Sequence, residues 1–340
     1  MTSPTEPPAD GNPENGLPAS LFNGALSAFA IVTAWEIGLL DLLEADGVVS
    51  IHHYVHAAGL HEPSVRAVLG ALAGARIVEL TDDGQYAKPT PAFAAVYATK
   101  GFFGWLLGGC GELLRTGAVV ARNEARHGNF IHRDVGMIGY STADFGRRYI
   151  DPVLDSAFAD LHYSCVADLG CGSGDRLIRM LNARPQASGI GVDIAPVAVE
   201  QARERVARAG LSHRAVIIEA DVHSLRPRAE FAAVDFATCF LMGHDFWPRD
   251  RCRAVLRGLR AAFPRLRVFA LGDTYRSQRA EAADPPILTL GFEYVHGLMG
   301  QYLPTLQEWR AVFPAAGWRC QAEYDITIPP YTKIFRLVPA

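Results

Sequence analysis

The spacing of hydrophobic residues changes character near the middle of the chain. Over residues 21–43 apolar positions recur at three- and four-residue intervals, the rhythm of a helix with one buried face. Asp41, Glu44 and the Ala45-Asp46-Gly47 turn mark its end. Two helix-length pieces follow at 51–58 and 63–74, the second opening on Glu62-Pro63, where proline is tolerated in a first turn. Residues 77–80 and 85–88, joined by Thr81-Asp82-Asp83-Gly84, predict a hairpin. Helix, turn, helix and two-stranded wing together predict a winged-helix unit over 19–100. Residues 102–159 read as mostly helical, so 101–160 is expected to bridge this unit to the rest and to contribute to a substrate pocket.

From 161 onward short apolar strands alternate with helices. Strands are predicted at 166–169, 189–192, 215–219, 234–240 and 267–271, with helices at 175–183, 196–209 and 250–263. That alternation implies right-handed β-α-β units and a parallel sheet covered on both faces. The fold class is therefore α/β: a Rossmann-like, doubly wound sheet over 161–340 with a smaller helical N-terminal domain. Ligands of such sheets bind at the carboxyl ends of the strands, where the strand order reverses.

Composition narrows the function classes. The 340 residues are 49% hydrophobic and 20% charged, enough to build large cores without staples, and suit about two domains. A net charge of −4 with scattered arginines gives no footprint for nucleic acid or anionic lipid. The region 63–74 offers only Arg66 as a cation, which argues against a DNA-reading wing. Residues 1–18, with five prolines, predict a disordered tail. No apolar run reads as long enough for a membrane span, and no secretory signal is legible, so a cytoplasmic protein is expected. The six cysteines lack CxxC spacing and are expected as free thiols.

Chemistry concentrates at the strand ends. Ala167 to Asp175 reads ADLGCGSGD, with Gly170, Gly172 and Gly174 in a turn that lets backbone approach a ligand closely. Asp168 precedes the first glycine and could meet an ammonium group. Asp193 ends the second strand and is placed to accept from ribose hydroxyls. Asp221-Val222 follows the third, where a carboxylate could take an adenine amino group while Val222 covers the ring. Together these residues resemble the class I S-adenosylmethionine-dependent methyltransferases, whose first motif is (D/E)xGxGxG. The resemblance implies S-adenosylmethionine as cofactor. It also implies a homodimer formed through the N-terminal domain, since Ala34-Trp35-Glu36-Ile37-Gly38-Leu39-Leu40 is similar to a dimerisation segment of the small-molecule members.

Phe240 to Cys252, FLMGHDFWPRDRC, resembles the segment in which plant O-methyltransferases carry a general base. Paired with the later GFEYVHGLMGQYLPT, it is similar to the 2-oxo acid C-methyltransferases, above all those acting at C3 of phenylpyruvate. That resemblance implies one metal ion, iron or zinc, held by His244, Asp245 and His296. Two histidines and a carboxylate on one face leave positions open for a 2-oxo acid. It further implies Arg133 as partner of the substrate carboxylate, with Arg126 a rival. Trp105, Met242 and Tyr302 are the expected walls of the substrate pocket. Adjacent ligands at 244 and 245 require non-strand backbone, since strand neighbours face opposite ways. The alternative is a metal-free O-methyltransferase with His244 as general base. The expected substrate is a 2-oxo acid of phenylpyruvate or 4-methyl-2-oxopentanoate type, with no nucleic acid or membrane partner.

Overall fold

The chain divides after Gly108 into two units, residues 1–108 and 109–340. The computed structural model describes residues 13–340, apart from 82 and 278–284.

In the first unit, α1 (Pro13–Glu36) and α2 (Leu39–Asp46) replace the single helix expected over 21–43. The break falls at Gly38, whose φ of 81° ends α1 while the apolar rhythm runs on across it. Residues 13–18, expected as tail, are helical; the rest of that tail lies outside the described residues. Against expectation, 16–36 is long and apolar enough by composition to cross a membrane. Its N-terminal half carries Leu17, Leu21, Phe22, Leu26 and Phe29 exposed. The segment expected to dimerise is different: Ala34, Trp35, Leu39 and Leu40 are buried within the unit. Strand β1 (Val49–Ser50) leads into α3 (Ile51–Ala58) and α4 (Glu62–Gly74). Then β2 (Val78–Leu80) and β3 (Tyr86–Pro89) form the expected hairpin, which β1 joins as a third strand, before α5 (Phe93–Phe103).

The second unit begins with α6 (Gly111–Arg115), α7 (Gly117–Val120), α8 (Val135–Phe145) and α9 (Asp151–Ala157), so the expected bridge from 109 onward belongs to it. Five parallel strands follow: β4 (Cys165–Leu169), β5 (Ser188–Asp193), β6 (Ala215–Glu219), β7 (Phe236–Phe240) and β8 (Val268–Thr274). Between them run α10 (Asp175–Ala183), α11 (Pro196–Arg208) and α12 (Arg249–Ala262). Beyond β8 come α13 (Thr289–Met299), α14 (Leu306–Ala315) and two strands, β9 (Trp318–Ile326) and β10 (Thr332–Pro339). The sheet order is β6-β5-β4-β7-β8-β10-β9, with β10 antiparallel to both neighbours.

Every residue of β4, β7 and β8 is buried, as a parallel sheet covered on both faces requires. From β4 the chain first builds outward through β5 and β6, then returns to place β7 on the other side. The order thus reverses between β4 and β7, and the crevice beyond their carboxyl ends is where a ligand is expected. The core beside that crevice is aromatic. Trp247 and Trp309 meet edge to face with centroids 5.3 Å apart, and Trp309 stacks with Phe313 of α14. Burying such side chains supplies about 1.5–3 kcal/mol each, so the turn after β7 is held firmly onto α14.

Candidate active site

At the end of β4 the backbone turns back on itself, and the N–H groups of Gly170 and Cys171 both donate to Val192 O, at 2.8 and 3.0 Å. Gly170 has a φ of 71°, and a Cβ there would lie 2.6 Å from Met242 Sδ, so the two strand-end segments touch only because position 170 lacks a side chain. Gly172 N–H donates to Asp193 Oδ2 at 2.8 Å, while Asp193 Oδ1 accepts from Ala195 N–H. Asp168 is 1% exposed. One of its oxygens accepts from the Thr238 hydroxyl at 2.6 Å, and the other has no protein partner among the described residues. Burial raises its pKa, against the opposing pull of Arg176 and Thr238. A cavity of about 390 Å³ opens from this loop, lined among others by Asp193, Asp221, Val222, Met242, Asp245 and Arg133. Asp221 Oδ1 accepts from the backbone N–H and the ring Nδ1 of His223, which fixes the loop after β6.

On the other side of the crevice, Gly243–Phe246 is a single 3-10 turn, so neighbouring side chains are not forced to opposite faces. His244 is buried, and its Nδ1 lies 2.9 Å from Asp273 Oδ1 at the end of β8. The second oxygen of Asp273 accepts the backbone N–H of His244. His296, on α13, directs its Nδ1 to Phe292 O at 2.7 Å. A carbonyl and a carboxylate can only accept, so both Nδ1 atoms carry hydrogen. The two Nε2 atoms then face each other at 3.2 Å. In neutral rings that arrangement sets lone pair against lone pair, and a proton or another cation between them relieves it. Burial opposes charge on His244, but Asp273 and Asp245 outweigh it and push the imidazole up to about 9. Burial and the neighbouring His244 hold His296 well below the usual histidine range. Asp245 Oδ1 stands 3.9 Å from His244 Nε2.

The family description "Methyltransferase domain" matches residues 166–263, spanning β4 through α12. Across nearly the whole length, the chain is 41% identical to methyltransferase ungE' of Aspergillus campestris, covering 94% of this chain and 96% of that one. It is 31% identical to indolepyruvate C-methyltransferase of Streptomyces griseus, covering 92% of each. This chain is an S-adenosylmethionine-dependent methyltransferase. The structure of the mitomycin 7-O-methyltransferase MmcR shares the methyltransferase's fold at a TM-score of 0.65, with 19% identity over 96% of this chain and 98% of that one.

Of the residues expected at the site of this methyltransferase, Gly170, Gly172, Asp193, Asp221, Val222, Met242, Asp245 and Arg133 line one cavity, with Asp168 buried at the end of β4 and Gly174 at the start of α10. His244 and His296 come together; Asp245 approaches but does not close on them. Among the described residues no three His, Cys, Asp or Glu side chains form a complete ligand set. The nitrogens nonetheless suit a shared cation, since two bonds of about 2.1 Å put nitrogens about 3.0–3.4 Å apart and can span about 4.2 Å. Arg133 lies near enough for its charge to disfavour protonation of both histidines, a minor influence beside Asp273 on His244 and beside burial on His296. Its rival Arg126 is otherwise occupied, donating to Val120 O and Leu298 O at 2.8 and 2.9 Å. Tyr302 does not line the cavity: it stacks on Trp247 from outside, and its hydroxyl donates to Glu308. Trp105 is a buried residue of the first unit. Sequence reasoning missed Asp273, whose only signal is an acidic residue at the carboxyl end of a parallel strand.

Proposed function

We propose that this methyltransferase methylates C3 of a free 2-oxo acid, using one metal ion, iron or zinc, held by His244, Asp245 and His296. The observation that carries the reading is the meeting of two buried imidazoles, 52 residues apart in sequence, with Nδ1 atoms committed to acceptors and Nε2 atoms 3.2 Å apart. Metal-binding histidines characteristically present that pattern, with the remote ring N–H given to a carboxylate or carbonyl. The 31% identical relative named for indolepyruvate, itself a 2-oxo acid, supports the same substrate class.

Each residue then has a task. The free oxygen of Asp168 accepts from the cofactor ammonium; Gly170, Gly172 and Gly174 let the backbone approach it; Asp193 takes the ribose hydroxyls. Asp221 faces the adenine amino group and Val222 the ring. Arg133 binds the substrate carboxylate, and Met242 walls the space where methyl donor and acceptor meet. When bound, the metal is a Lewis acid that makes the C3 hydrogens acidic. A C3 proton is lost, in the end to solvent, the C3–CH3 bond forms as the sulfonium S–CH3 bond breaks, and neutral S-adenosylhomocysteine is left. The protein holds C3 about 3–3.5 Å from the methyl group and excludes water. The product is the carbon skeleton of a β-methyl amino acid of the kind built into peptide natural products. We propose that the enzyme is a cytoplasmic homodimer.

The deciding experiment incubates the protein and S-adenosylmethionine with phenylpyruvate, indolepyruvate or 4-methyl-2-oxopentanoate, with and without chelator. A new methyl on C3 by NMR, lost on chelation and restored by metal, is expected. A second reading, metal-free O-methylation with His244 as base, is favoured by the Asp273–His244 pair. A methyl ether formed from a phenol at undiminished rate in chelator would establish it.

A further inference from the structure

Helix α13 ends in a Schellman turn: Gly300, at φ 73°, donates to Gly297 O at 3.0 Å, and Gln301 N–H donates to His296 O at 2.9 Å. The main chain of Gln301 therefore caps the carbonyl of His296. Its side chain turns the other way, and Nε2 donates to His244 O at 2.9 Å. A backbone carbonyl only accepts, so the amide must present its NH2 there. One residue thus bonds the main chain of both histidines whose rings meet 3.2 Å apart. With Asp273 on the N–H of His244 and Gln301 on its C=O, where its bond is the shorter beside that of Trp247 N–H at 3.3 Å, both backbone groups of His244 are held.

We infer that Gln301 is a positioning residue that sets the separation and relative orientation of His244 and His296. Its bearing on the metal rests on the reading above; its bearing on the rings does not. The two bonds differ in what a substitution removes. Any residue at 301 except proline keeps the N–H that closes α13, so the helix end survives in Gln301→Ala. Only the bond to His244 O is lost. In Gln301→Glu a carboxylate oxygen replaces the NH2 and faces the carbonyl, so this variant is at least as impaired despite its near-identical size.

The test uses the full-length protein in two states. In the metal-free state, the imidazole 15N and 1H signals of His244 and His296 are compared between wild type and Gln301→Ala, alongside the melting temperature and affinity for S-adenosylhomocysteine. Cobalt(II) is then titrated in and followed by its absorption bands. Expected are displaced histidine signals, cobalt affinity weakened roughly 10–100-fold, and a melting temperature and homocysteine-nucleoside affinity that stay at wild-type values. Histidine signals that do not move overturn the inference, as does a matching loss in all measurements, which marks general damage. Displaced signals in a protein whose wild type takes no cobalt uphold the positioning role and overturn the metal reading instead.

Discussion

The Asp273 side chain contributes nothing but acceptors; both serve His244, and the one facing the ring also takes the Thr274 backbone N–H at 2.7 Å. One oxygen takes the ring Nδ1–H at 2.9 Å, the other the backbone N–H, and the carboxylate is 0% exposed. Asp273→Asn keeps the shape and replaces one acceptor by a donor, which cannot face N–H. The imidazole then loses its fixed tautomer and direction. Turnover is expected to fall about 10–100-fold, with S-adenosylhomocysteine affinity, measured by calorimetry, unchanged; wild-type turnover would remove Asp273 from the mechanism. His296→Ala is the sharper case, since it removes one of the two converging nitrogens. It should abolish turnover and spare cofactor affinity, because Asp193 and Asp221, the residues proposed for the nucleotide, lie at the end of β5 and just beyond β6. Asp193→Ala should do the reverse, weakening cofactor binding while leaving the 15N signals of the His244–His296 pair in place. At this scale the meeting of His244 and His296 was legible only through the resemblance of their two segments to one family, and Asp245 stands 3.9 Å from His244 Nε2 without closing on the pair. Asp273 and Gln301 were not legible, since they act on partners 29 and 57 residues away, and no spacing encodes that.

The turn carrying the histidine depends on an element-level accommodation. A Cβ on Gly243 would lie 2.8 Å from both Asp273 Oδ2 and Leu271 Cδ1, and 3.3 Å from Trp309. None of these can yield easily: Asp273 is bonded to His244, and Leu271 and Trp309 are fully buried. Gly243→Ala should therefore lift the turn off the sheet edge. Strain of this kind costs typically about 1–3 kcal/mol, readable as a lower denaturation midpoint, and activity should fall further than stability alone explains. An unchanged midpoint with full activity would show that the turn tolerates displacement. Element types were legible where the apolar pattern was strong. The alternation of strands and helices from 165 to 274 appears as expected, because strands buried on both faces are continuous apolar runs. The α1–α2 break is hidden in the sequence because the rhythm continues through Gly38 and only the backbone reverses there. Strand β9 was legible and not predicted: Arg319, Gln321, Glu323 and Asp325 alternate strictly with apolar residues, the pattern of an edge strand with one face buried.

At the scale of the whole molecule, α1 poses the open question. Its C-terminal half buries Ala30, Ile31, Ala34 and Trp35 in the first unit, whereas Leu21 and Phe22 are 66% and 75% exposed. Leu17, Leu26 and Phe29 extend that apolar surface, and water-exposed patches of this kind mark contact sites. Two occupants suit an apolar helix of this length with no charge between 17 and 29, a lipid bilayer and a second copy of the chain. The homodimer proposed above favours the copy, but the surface differs from the segment expected to make it. Ala34, Trp35, Leu39 and Leu40 are spent on the chain's own core, so the contact should fall on 17–29. Wild type is then expected to scatter light as twice 36.9 kDa. The double variant Phe22→Asp, Leu26→Asp should scatter as a single chain, because each carboxylate would have to be buried without a partner in the dimer. The buried half of α1 is untouched, so the melting of the monomer should begin from an intact first unit. A monomeric wild type would refute the dimer, and sedimentation with lipid vesicles that the double variant abolishes would assign the helix to a membrane surface instead.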